Sequence, residues 1–528
     1  MKPSQQNTQK SGPLPGSSRI ISNGMFENPF IWADIPDPDV IRVGDVYYMV
    51  STTMYFSPHC PIMKSYDLVN WEIVSYVCDV LEYSDAFELR NGSFAYGRGT
   101  WAASLRYNKG TFYVTVASFT TNKTYIFQTE NVENGCWRRY EIDHMYHDQS
   151  LLFDDDGRVY LISGAGKIHI VELTEDATAV KPGGLDQILL NKTDVGGKGG
   201  LPAEGAHFYK INGYYYVFLI AWPPSGSGRR IQLCYRADKL LGPYEGKVIL
   251  DDNMGFLNNG VAQGGVVDTP DGKWYALLFQ DHGAVGRIPV LVPLKWVDSW
   301  PELGTYGVVP KQMELPYIKE SAVSVVSPDE FDAQTCEDDL VASKLSLVWQ
   351  WNHNPDNNLW SLTDRYGHLR LKSGYLSSNL LDAKNTLTQR TFGPVCTGTA
   401  ALDISGMMDG DVAGLAALQD VYGYVGVKVI NGRKYISMTN SSSGTPEEVE
   451  SIQLTGDKIY LRIEFDFRDT ADKAKFFYSE DETHWRKIGD VLKMEYRLSH
   501  FTGYRFALFY YSTQSIGGYA DFDYFRIF

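Results

Sequence analysis

The 528-residue sequence predicts an all-β protein in which a five-bladed β-propeller is followed by a second, sandwich-like β domain. Three observations predict this fold. A glycine-containing turn that leads into a short aromatic and aliphatic strand recurs five times, and the copies are spaced as four-stranded blades would be. The remainder of the chain then alternates polar and apolar residues with a period of two.

The recurring turn and strand define the blades. The five copies lie at residues 43–50, 108–115, 155–162, 211–218 and 270–277. A tight glycine turn before a hydrophobic strand is a hairpin signal, and a spacing of roughly 45 to 65 residues suits four short strands with their loops. A second sequence pattern follows two of the copies, at 65–71 and 236–244. Two patterns that recur at a similar distance from each other favour a propeller over a β-sandwich with regular hairpins.

Composition changes mark the limits of the domains. Residues 1–24 are rich in Ser, Gln, Gly and Pro and are expected to form a disordered or extended lead-in. The propeller is expected over residues 25–325, because the aromatic phrases then stop and Ser, Glu and Asp become frequent. Residues 326–528 are expected to form the second domain, with alternating strands that include 368–372, 459–466 and 504–510.

The charge balance narrows the class of ligand. With 64 acidic against 48 basic residues the net charge is -16, which disfavours nucleic acid and anionic membrane surfaces as partners. Aromatic residues make up 14% of the chain and suit both sheet packing and stacking on sugar rings. The six cysteines have neither metal-ligand nor paired spacing, so neither a zinc site nor a disulfide framework is expected.

The sequence leaves compartment and oligomeric state open. No stretch is apolar for long enough to span a bilayer, and the N-terminus lacks the apolar core of a signal peptide. The protein is therefore expected to stay in the cytoplasm, or to have lost a leader that directed it to the periplasm or outside the cell. Both a monomer and an oligomer are compatible with these patterns.

Asp37 is the first candidate catalytic residue. It lies between Pro36 and Pro38, and each ring restricts the backbone around it, so this carboxylate has little freedom. A group that holds a water or a reacting atom benefits from a fixed backbone, because less entropy is then lost at the transition state. Taken alone, the segment is also explained as a turn that leads into the first strand.

Two further carboxylates precede later copies of the hairpin. Asp148 lies before a short apolar strand, at the opposite end from the turn formed by residues 154–156. Glu204 lies beside Gly205, which permits close approach of a backbone or a ligand. Because the strand nearest the axis begins each blade of a propeller, Asp37, Asp148 and Glu204 are expected to converge on one central site.

Three carboxylates in one pocket indicate acid and base catalysis. Their mutual repulsion raises the pKa of at least one group and leaves another ionised, so an acid and a base coexist at neutral pH. Inverting hydrolysis of a glycosidic bond needs this pair, since an acid protonates the leaving oxygen while a base activates water. Binding of a hard cation by the same three groups is the alternative.

These acidic segments resemble those of glycoside hydrolase family 43, which contains β-xylosidases and α-L-arabinofuranosidases with a five-bladed propeller. The similar segments are residues 28–45, 147–150 and 204–207. The resemblance implies that Asp37 is the general base and that Glu204 is the general acid. It also implies that Asp148 adjusts the acid and orients the substrate.

The resemblance implies two substrate contacts as well. Residues 100–106 are similar to a segment whose tryptophan, here Trp101, lines the sugar pocket. Residues 283–287 are similar to a segment whose arginine, here Arg287, contacts the terminal sugar. Read without the family, Trp101 would be a core residue and Arg287 a solvated charge.

The chain departs from the family pattern at three positions. Gln149 and Ala206 stand where proline is frequent, a change expected to affect local stiffness more than chemistry. Ala262 stands where a histidine often helps to hold a central calcium ion. No cofactor is therefore expected to be required, and an axial calcium ion is left open.

Residues 349–360 are similar to the start of the concanavalin-like β-sandwich that accompanies many β-xylosidases of this family. The resemblance implies that this domain packs on the propeller and closes one side of the pocket, which favours release of single sugars. The predicted function is an inverting exo-glycoside hydrolase that releases terminal xylose from β-1,4-xylo-oligosaccharides. An α-L-arabinofuranosidase or bifunctional enzyme acting on arabinose-substituted saccharides, and a non-catalytic carbohydrate-binding propeller, remain alternatives.

Overall fold

A computed structural model of the protein describes residues 12–13, 20–21, 24–191, 203–222, 229–316, 329–331 and 345–528. Within these ranges the chain consists of β-strands and irregular segments, with three short 3₁₀ helices at Gly283–Val285, Leu380–Asp382 and Arg468–Thr470. The predicted all-β class is confirmed. No helix in the described part of the chain is long and apolar enough to cross a membrane.

Five antiparallel four-stranded units, each in chain order, form the blades of a propeller. Blade 1 contains Asp39–Val43, Val46–Val50, His59–Ser65 and Glu72–Cys78. Blade 2 contains Thr100–Asn108, Thr111–Ser118, Lys123–Thr129 and Arg138–Ile142. Blade 3 contains Ser150–Phe153, Val159–Ser163, Ile168–Leu173 and Asp186–Leu190. Blade 4 contains Glu204–Ile211, Tyr214–Ala221, Ile231–Ala237 and Glu245–Leu250, and blade 5 contains Ala262–Asp268, Trp274–Asp281, Arg287–Val297 and Trp300–Leu303.

The first strand of each blade lies at the propeller axis. These five strands contact one another in a closed ring, in which blade 5 returns to blade 1, and are called the inner strands below. In every blade the recurring glycine turn joins the inner strand to the second strand, as between Val43 and Val46. The five-bladed propeller is therefore confirmed, and so is the role of the repeated turn in building it.

Apolar side chains fill the spaces between neighbouring blades. Between blades 2 and 3, for example, Tyr113, Leu151 and Val171 are buried together. Full burial of one such aliphatic side chain contributes about 1.5 to 3 kcal/mol relative to exposure. Successive side chains of a strand point to opposite faces, so each blade packs against both of its neighbours, and Thr111–Ser118 and Tyr214–Ala221 are buried at every position after the first.

The ends of the propeller segment pair with each other. Met25–Glu27 lies between Ile20–Ile21 and Gln312–Glu314 in a three-stranded sheet. Gly12–Pro13 extends the outer edge of blade 1, so this part of the lead-in is extended. The rest of residues 1–23 and the predicted domain boundary at residue 325 lie outside the described residues, and that boundary stays a prediction.

The C-terminal part is a two-sheet β-sandwich, as predicted, with a large apolar core between the sheets. One sheet contains Trp360–Ser361, Leu369–Lys372, Tyr519–Ile527, Val395–Asp403, Lys458–Asp466, Lys473–Ser479 and Arg486–Lys487, with Asp329–Glu330 and Leu492–Lys493 at its sides. The other contains Glu447–Gln453, Arg433–Asn440, Gly423–Ile430, Asp411–Leu418, Arg505–Ser512, Leu387–Arg390, Gln350–Asn352 and Phe56–Ser57. Since Phe56–Ser57 belongs to the propeller, a strand from one domain completes a sheet of the other.

Candidate active site

Asp37 lies just before the inner strand of blade 1, and its side chain is buried. Its φ of 51° is left-handed, a conformation that is uncommon for residues other than glycine and concentrated at functional sites. The two flanking prolines were expected to restrict this residue, and the structure adds the left-handed turn of the backbone.

Arg287, at the start of the third strand of blade 5, holds this carboxylate. Its Nη1 lies 3.0 Å from Oδ1 and 2.9 Å from Oδ2 of Asp37. Burial raises the pKa of the Asp37 carboxyl, and the guanidinium opposes that shift. Arg287 is only 3% exposed, so the interpretation of this residue as a solvated charge is wrong.

Asp148 precedes the inner strand of blade 3 and is also left-handed, with a φ of 48°. Its Oδ2 accepts a hydrogen bond of 2.9 Å from the backbone N–H of Gly205, the residue next to Glu204. Burial and the charges of Glu204 and Asp37 raise the pKa of Asp148 to about 6, although His147 acts in the opposite direction. The three predicted carboxylates are therefore close enough to affect one another electrostatically.

His147 is a site residue to which the sequence assigned no role. Its Nε2 lies 3.2 Å from Oε2 of Glu204 and 3.6 Å from Oδ2 of Asp148. Burial disfavours the charged imidazolium, but the carboxylates of Asp148 and Glu204 outweigh it and raise the pKa of His147 to about 9. One positive charge thus lies between two carboxyl groups. The feature of the sequence that could have identified His147 is its position directly before Asp148 in the acidic segment 147–150.

This geometry gives little support to the alternative in which the three predicted carboxylates bind a metal ion. In the described part of the chain, the side chains whose potential ligand atoms gather within 4.8 Å are His147, Asp148 and Glu204. Asp37 is not a member of that group, and its two oxygens contact Nη1 of Arg287 instead. The arrangement separates one carboxylate with an arginine from two carboxylates with a histidine, as an acid and base pair requires.

An aromatic wall connects the two halves of the site. Trp101, on the inner strand of blade 2, stacks on Phe501 at 5.2 Å and approaches the ring of His147 at 5.8 Å. Phe501 belongs to the sandwich domain, and its ring lies 4.5 Å from the guanidinium carbon of Arg287. Contacts therefore run without a break from Asp37 through Arg287, Phe501, Trp101 and His147 to Glu204 and Asp148. No sequence motif pointed to Phe501.

The two acidic segments that depart from the family pattern, at Gln149 and Ala206, make specific contacts between blades. Gln149 donates through Nε2 to the carbonyl oxygens of Ala102 at 3.1 Å and Thr115 at 2.8 Å, which ties the start of blade 3 to blade 2. Gly205, next to Glu204, has a φ of 67°, and a Cβ there would meet the side chain of Gln263 at 2.6 Å. The side chain of Gln263, which belongs to blade 5, therefore lies close to the backbone of Gly205, where another residue would place its Cβ.

Two family models match the chain. The one described as Glycosyl hydrolases family 43 matches residues 26–301, from the strand Met25–Glu27 into Trp300–Leu303, the last strand of blade 5. The one described as Beta xylosidase C-terminal Concanavalin A-like domain matches residues 337–527. The sandwich therefore has the concanavalin-like fold expected from the sequence.

Several known proteins are similar over most of the chain. A beta-xylosidase from Formosa agariphila is 30% identical, over 97% of this chain and 91% of that protein. A non-reducing end alpha-L-arabinofuranosidase from Bacteroides ovatus is 29% identical, over 76% of this chain and 75% of that protein. A solved structure described as a bifunctional GH43-CE protein from Bacteroides eggerthii matches with a TM-score of 0.89 and 48% identity, and covers 98% of this chain. This chain spans 64% of the length of that last protein. By its family models and its relatives, the chain belongs to glycoside hydrolase family 43 and is a glycoside hydrolase.

Proposed function

We propose that the protein is an inverting, exo-acting glycoside hydrolase that releases terminal xylose from β-1,4-xylo-oligosaccharides. The observation that carries the proposal is the division of the site into an arginine-paired Asp37 and a separate group of Asp148, Glu204 and His147. The relative from Formosa agariphila, which is named as a beta-xylosidase and is similar over 97% of this chain, supports xylose as the sugar.

Asp37 is the general base in this proposal. Burial raises the pKa of the Asp37 carboxyl and Arg287 opposes that rise, so the guanidinium favours the ionised form that accepts a proton from water. The left-handed backbone between two prolines fixes the carboxylate before the substrate arrives. The activated water attacks the anomeric carbon from the face opposite the leaving group.

Glu204 is the general acid in this proposal. It gives its proton to the glycosidic oxygen as the bond to the anomeric carbon breaks, while Asp37 takes one proton from water. Ionised Asp148 accepts the N–H of Gly205 and so fixes the backbone beside Glu204. The reaction consumes water alone, so no organic cofactor is required.

The position of Phe501 supports exo action. The ring stands between Trp101 and Arg287, on the side of the site where the sandwich meets the propeller. A wall at this place limits the length of sugar chain that fits beyond the cleaved bond on that side. Release of a single terminal residue is the outcome expected when one side of the site is blocked in this way.

An α-L-arabinofuranosidase is the second candidate, because one relative carries that name. The two activities are separated by assaying nitrophenyl β-D-xyloside against nitrophenyl α-L-arabinofuranoside, followed by product analysis with xylobiose and xylotriose. We expect the xyloside to have the higher kcat/KM and xylose to be released one residue at a time. A higher value for the arabinofuranoside would favour the second candidate, and hydrolysis of neither would contradict both.

Replacement of His147 by glutamine is expected to shift the acidic limb of the kcat/KM profile to higher pH. His147 lowers the pKa of Asp148, so a neutral amide in its place should raise that pKa above about 6. Because the proposed mechanism needs ionised Asp148, activity would then be lost at a higher pH as the solution is acidified. A His169→Gln variant, altered at an exposed position of blade 3, is the control. If folded His147→Gln shows no shift in the acidic limb of its kcat/KM profile, His147 does not control the ionisation of Asp148 during catalysis.

A further inference from the structure

A buried ionic network lies at the propeller axis, on the same inner strands that carry the three carboxylates. Its centre is Asp39, which is fully buried. Asp39 Oδ2 accepts from Nη1 of Arg106 at 2.6 Å and from the backbone N–H of Leu105 at 2.8 Å. Its Oδ1 lies 3.2 Å from Nδ1 of His207. Both oxygens of this carboxylate are therefore engaged by side chains and backbone of the protein itself.

Arg106, on the inner strand of blade 2, distributes hydrogen bonds to other blades. Its Nε donates to the carbonyl oxygen of Leu151 at 2.8 Å, and its Nη2 donates to Oγ of Ser150 at 2.8 Å. Nη2 also lies 3.3 Å from the carbonyl oxygen of Phe208. One side chain thus joins blades 1, 2, 3 and 4.

Blade 5 closes on the same network. The backbone N–H of Gly265 donates to the carbonyl oxygen of Pro38 at 3.2 Å, and a Cβ on Gly265 would lie 2.8 Å from Asp39 Oδ1. The N–H of Val266 donates to the hydroxyl of Tyr209 at 3.2 Å, and the guanidinium carbon of Arg106 lies 4.8 Å from the Tyr209 ring. The inner strands of all five blades therefore meet around one guanidinium and one carboxylate.

The partners of Arg106 stand close in sequence to the carboxylates of the site. Asp39 is two residues after Asp37, and Ser150 is two residues after Asp148. Phe208 is four residues after Glu204 on the same inner strand. A displacement of this network would move the start of three inner strands, and with them all three carboxylates. The distances between acid, base and sugar thus depend on a group that contacts none of the reacting atoms.

The residues at this place do not fit a calcium ion. Ala262, the position at which the family resemblance implies a metal-binding histidine, begins the inner strand of blade 5, is fully buried and has no donor atom in its side chain. Hard cations need several free oxygen ligands, whereas both oxygens of Asp39 are already bonded. The guanidinium of Arg106 also places a permanent positive charge 2.6 Å from the Asp39 carboxylate, and a metal ion bound to that carboxylate would be repelled in a buried site.

We propose that the guanidinium of Arg106 takes the place of an axial cation, and that Arg106 is a positioning residue which sets the spacing of Asp37, Asp148 and Glu204. The positioning role rests on the proposed function, whereas the replacement of the cation does not. The enzyme is then independent of calcium, because the positive charge that links the blades is covalently part of the chain.

The first experiment tests the replacement of the cation with the full-length protein. Melting temperature and metal content are measured after dialysis against EDTA and again after millimolar calcium chloride is added, together with kcat/KM for the nitrophenyl glycoside that is cleaved. We expect no bound calcium, an unchanged melting temperature and unchanged activity. A lower melting temperature after chelation that calcium restores would overturn the proposal, whatever the substrate proves to be.

The second experiment tests the positioning role with Arg106→Lys and Arg106→Gln. Lysine keeps the charge but cannot reproduce the forked hydrogen bonds, so we expect kcat to fall by about ten- to a hundredfold through misplacement of the carboxylates, with less effect on KM. The acidic limb of the pH profile should shift as well. Arg42→Lys, which alters an interblade pair with Asp268 at the far end of the inner strand of blade 1, is the matched control.

The outcomes separate the two claims. A folded Arg106→Lys with the kcat and pH profile of the unchanged protein would overturn the positioning role. Arg106→Gln leaves Asp39 without its cation, and if that variant does not fold, Arg106→Lys and the chelation experiment still decide. If the unchanged protein cleaves no glycoside, the proposed function fails, while the melting and metal measurements remain a test of the cation.

Discussion

Replacement of Asp37 by asparagine is expected to lower kcat by about 10²- to 10⁴-fold, because the base that draws a proton from water is lost. Asparagine tolerates the left-handed φ of 51° better than other residues and keeps one oxygen for Arg287, so the fold should persist. The measurements are kcat with nitrophenyl β-xyloside and with xylobiose, together with the melting temperature.

Azide and a matched variant make this test sharper. Azide needs no base, so it should restore turnover of an activated β-xyloside in Asp37→Asn and give the α-configured glycosyl azide. Asp154→Asn is the control, since Asp154 is a buried, ion-paired carboxylate at the other end of the inner strand of blade 3. Full activity in folded Asp37→Asn would exclude Asp37 as the base.

Replacement of Glu204 by glutamine is expected to lower kcat/KM most for substrates whose leaving group needs a proton. For xylobiose, whose leaving group is an alcohol, we expect kcat/KM to fall by about 10²- to 10⁴-fold. Dinitrophenolate departs without protonation, so dinitrophenyl β-xyloside should lose no more than about tenfold. The ratio of the two effects is the diagnostic quantity, because a loss of folding would lower both alike.

Glu172→Gln is the control for that comparison. Glu172 lies on the third strand of blade 3 and is paired with Lys181 at 2.6 Å, away from the site residues described above. It should behave as the unchanged protein with both leaving groups. Equal losses for xylobiose and the dinitrophenyl substrate in Glu204→Gln would instead indicate that Glu204 holds the site together and does not deliver the proton.

The propeller could be predicted from the sequence because its signal is local and repeated. Each inner strand is joined to its neighbour by a tight turn, and glycine supplies the left-handed backbone that the turn requires, as at Gly110 and Gly213. Five such turns at similar spacing fix the number of blades. The aromatic and aliphatic run after each turn fits a strand that is buried on both faces between neighbouring blades, as Thr111–Ser118 is.

The convergence of the three carboxylates followed from the same repeat. Because Asp37, Asp148 and Glu204 each stand at the start of an inner strand, a propeller brings them to one end of one axis. Trp101 and Arg287 had no comparable signal of their own and were identified by resemblance alone. The pairing of Arg287 with Asp37 depends on how blades 1 and 5 meet, which no local pattern encodes.

The resemblance implied that the sandwich packs on the propeller, but the residues that make this contact were not predicted. Phe501 reaches the site from a loop of the sandwich and contacts Arg287 of the propeller, from which it is more than two hundred residues away in the sequence. The strand Phe56–Ser57 joins a sheet of the sandwich although it lies between two strands of blade 1. Single residues in irregular segments carry no periodicity, so only the packed structure reveals what they contact.

The stereochemistry of hydrolysis tests the central claim most directly, because inversion requires both an acid and a separate base that activates water. Proton NMR of xylobiose hydrolysis, recorded before the released sugar mutarotates, distinguishes the two anomers of newly formed xylose. We expect α-xylose to appear first and β-xylose to grow in later by mutarotation. Initial release of β-xylose would show retention and would contradict the roles proposed for Asp37 and Glu204.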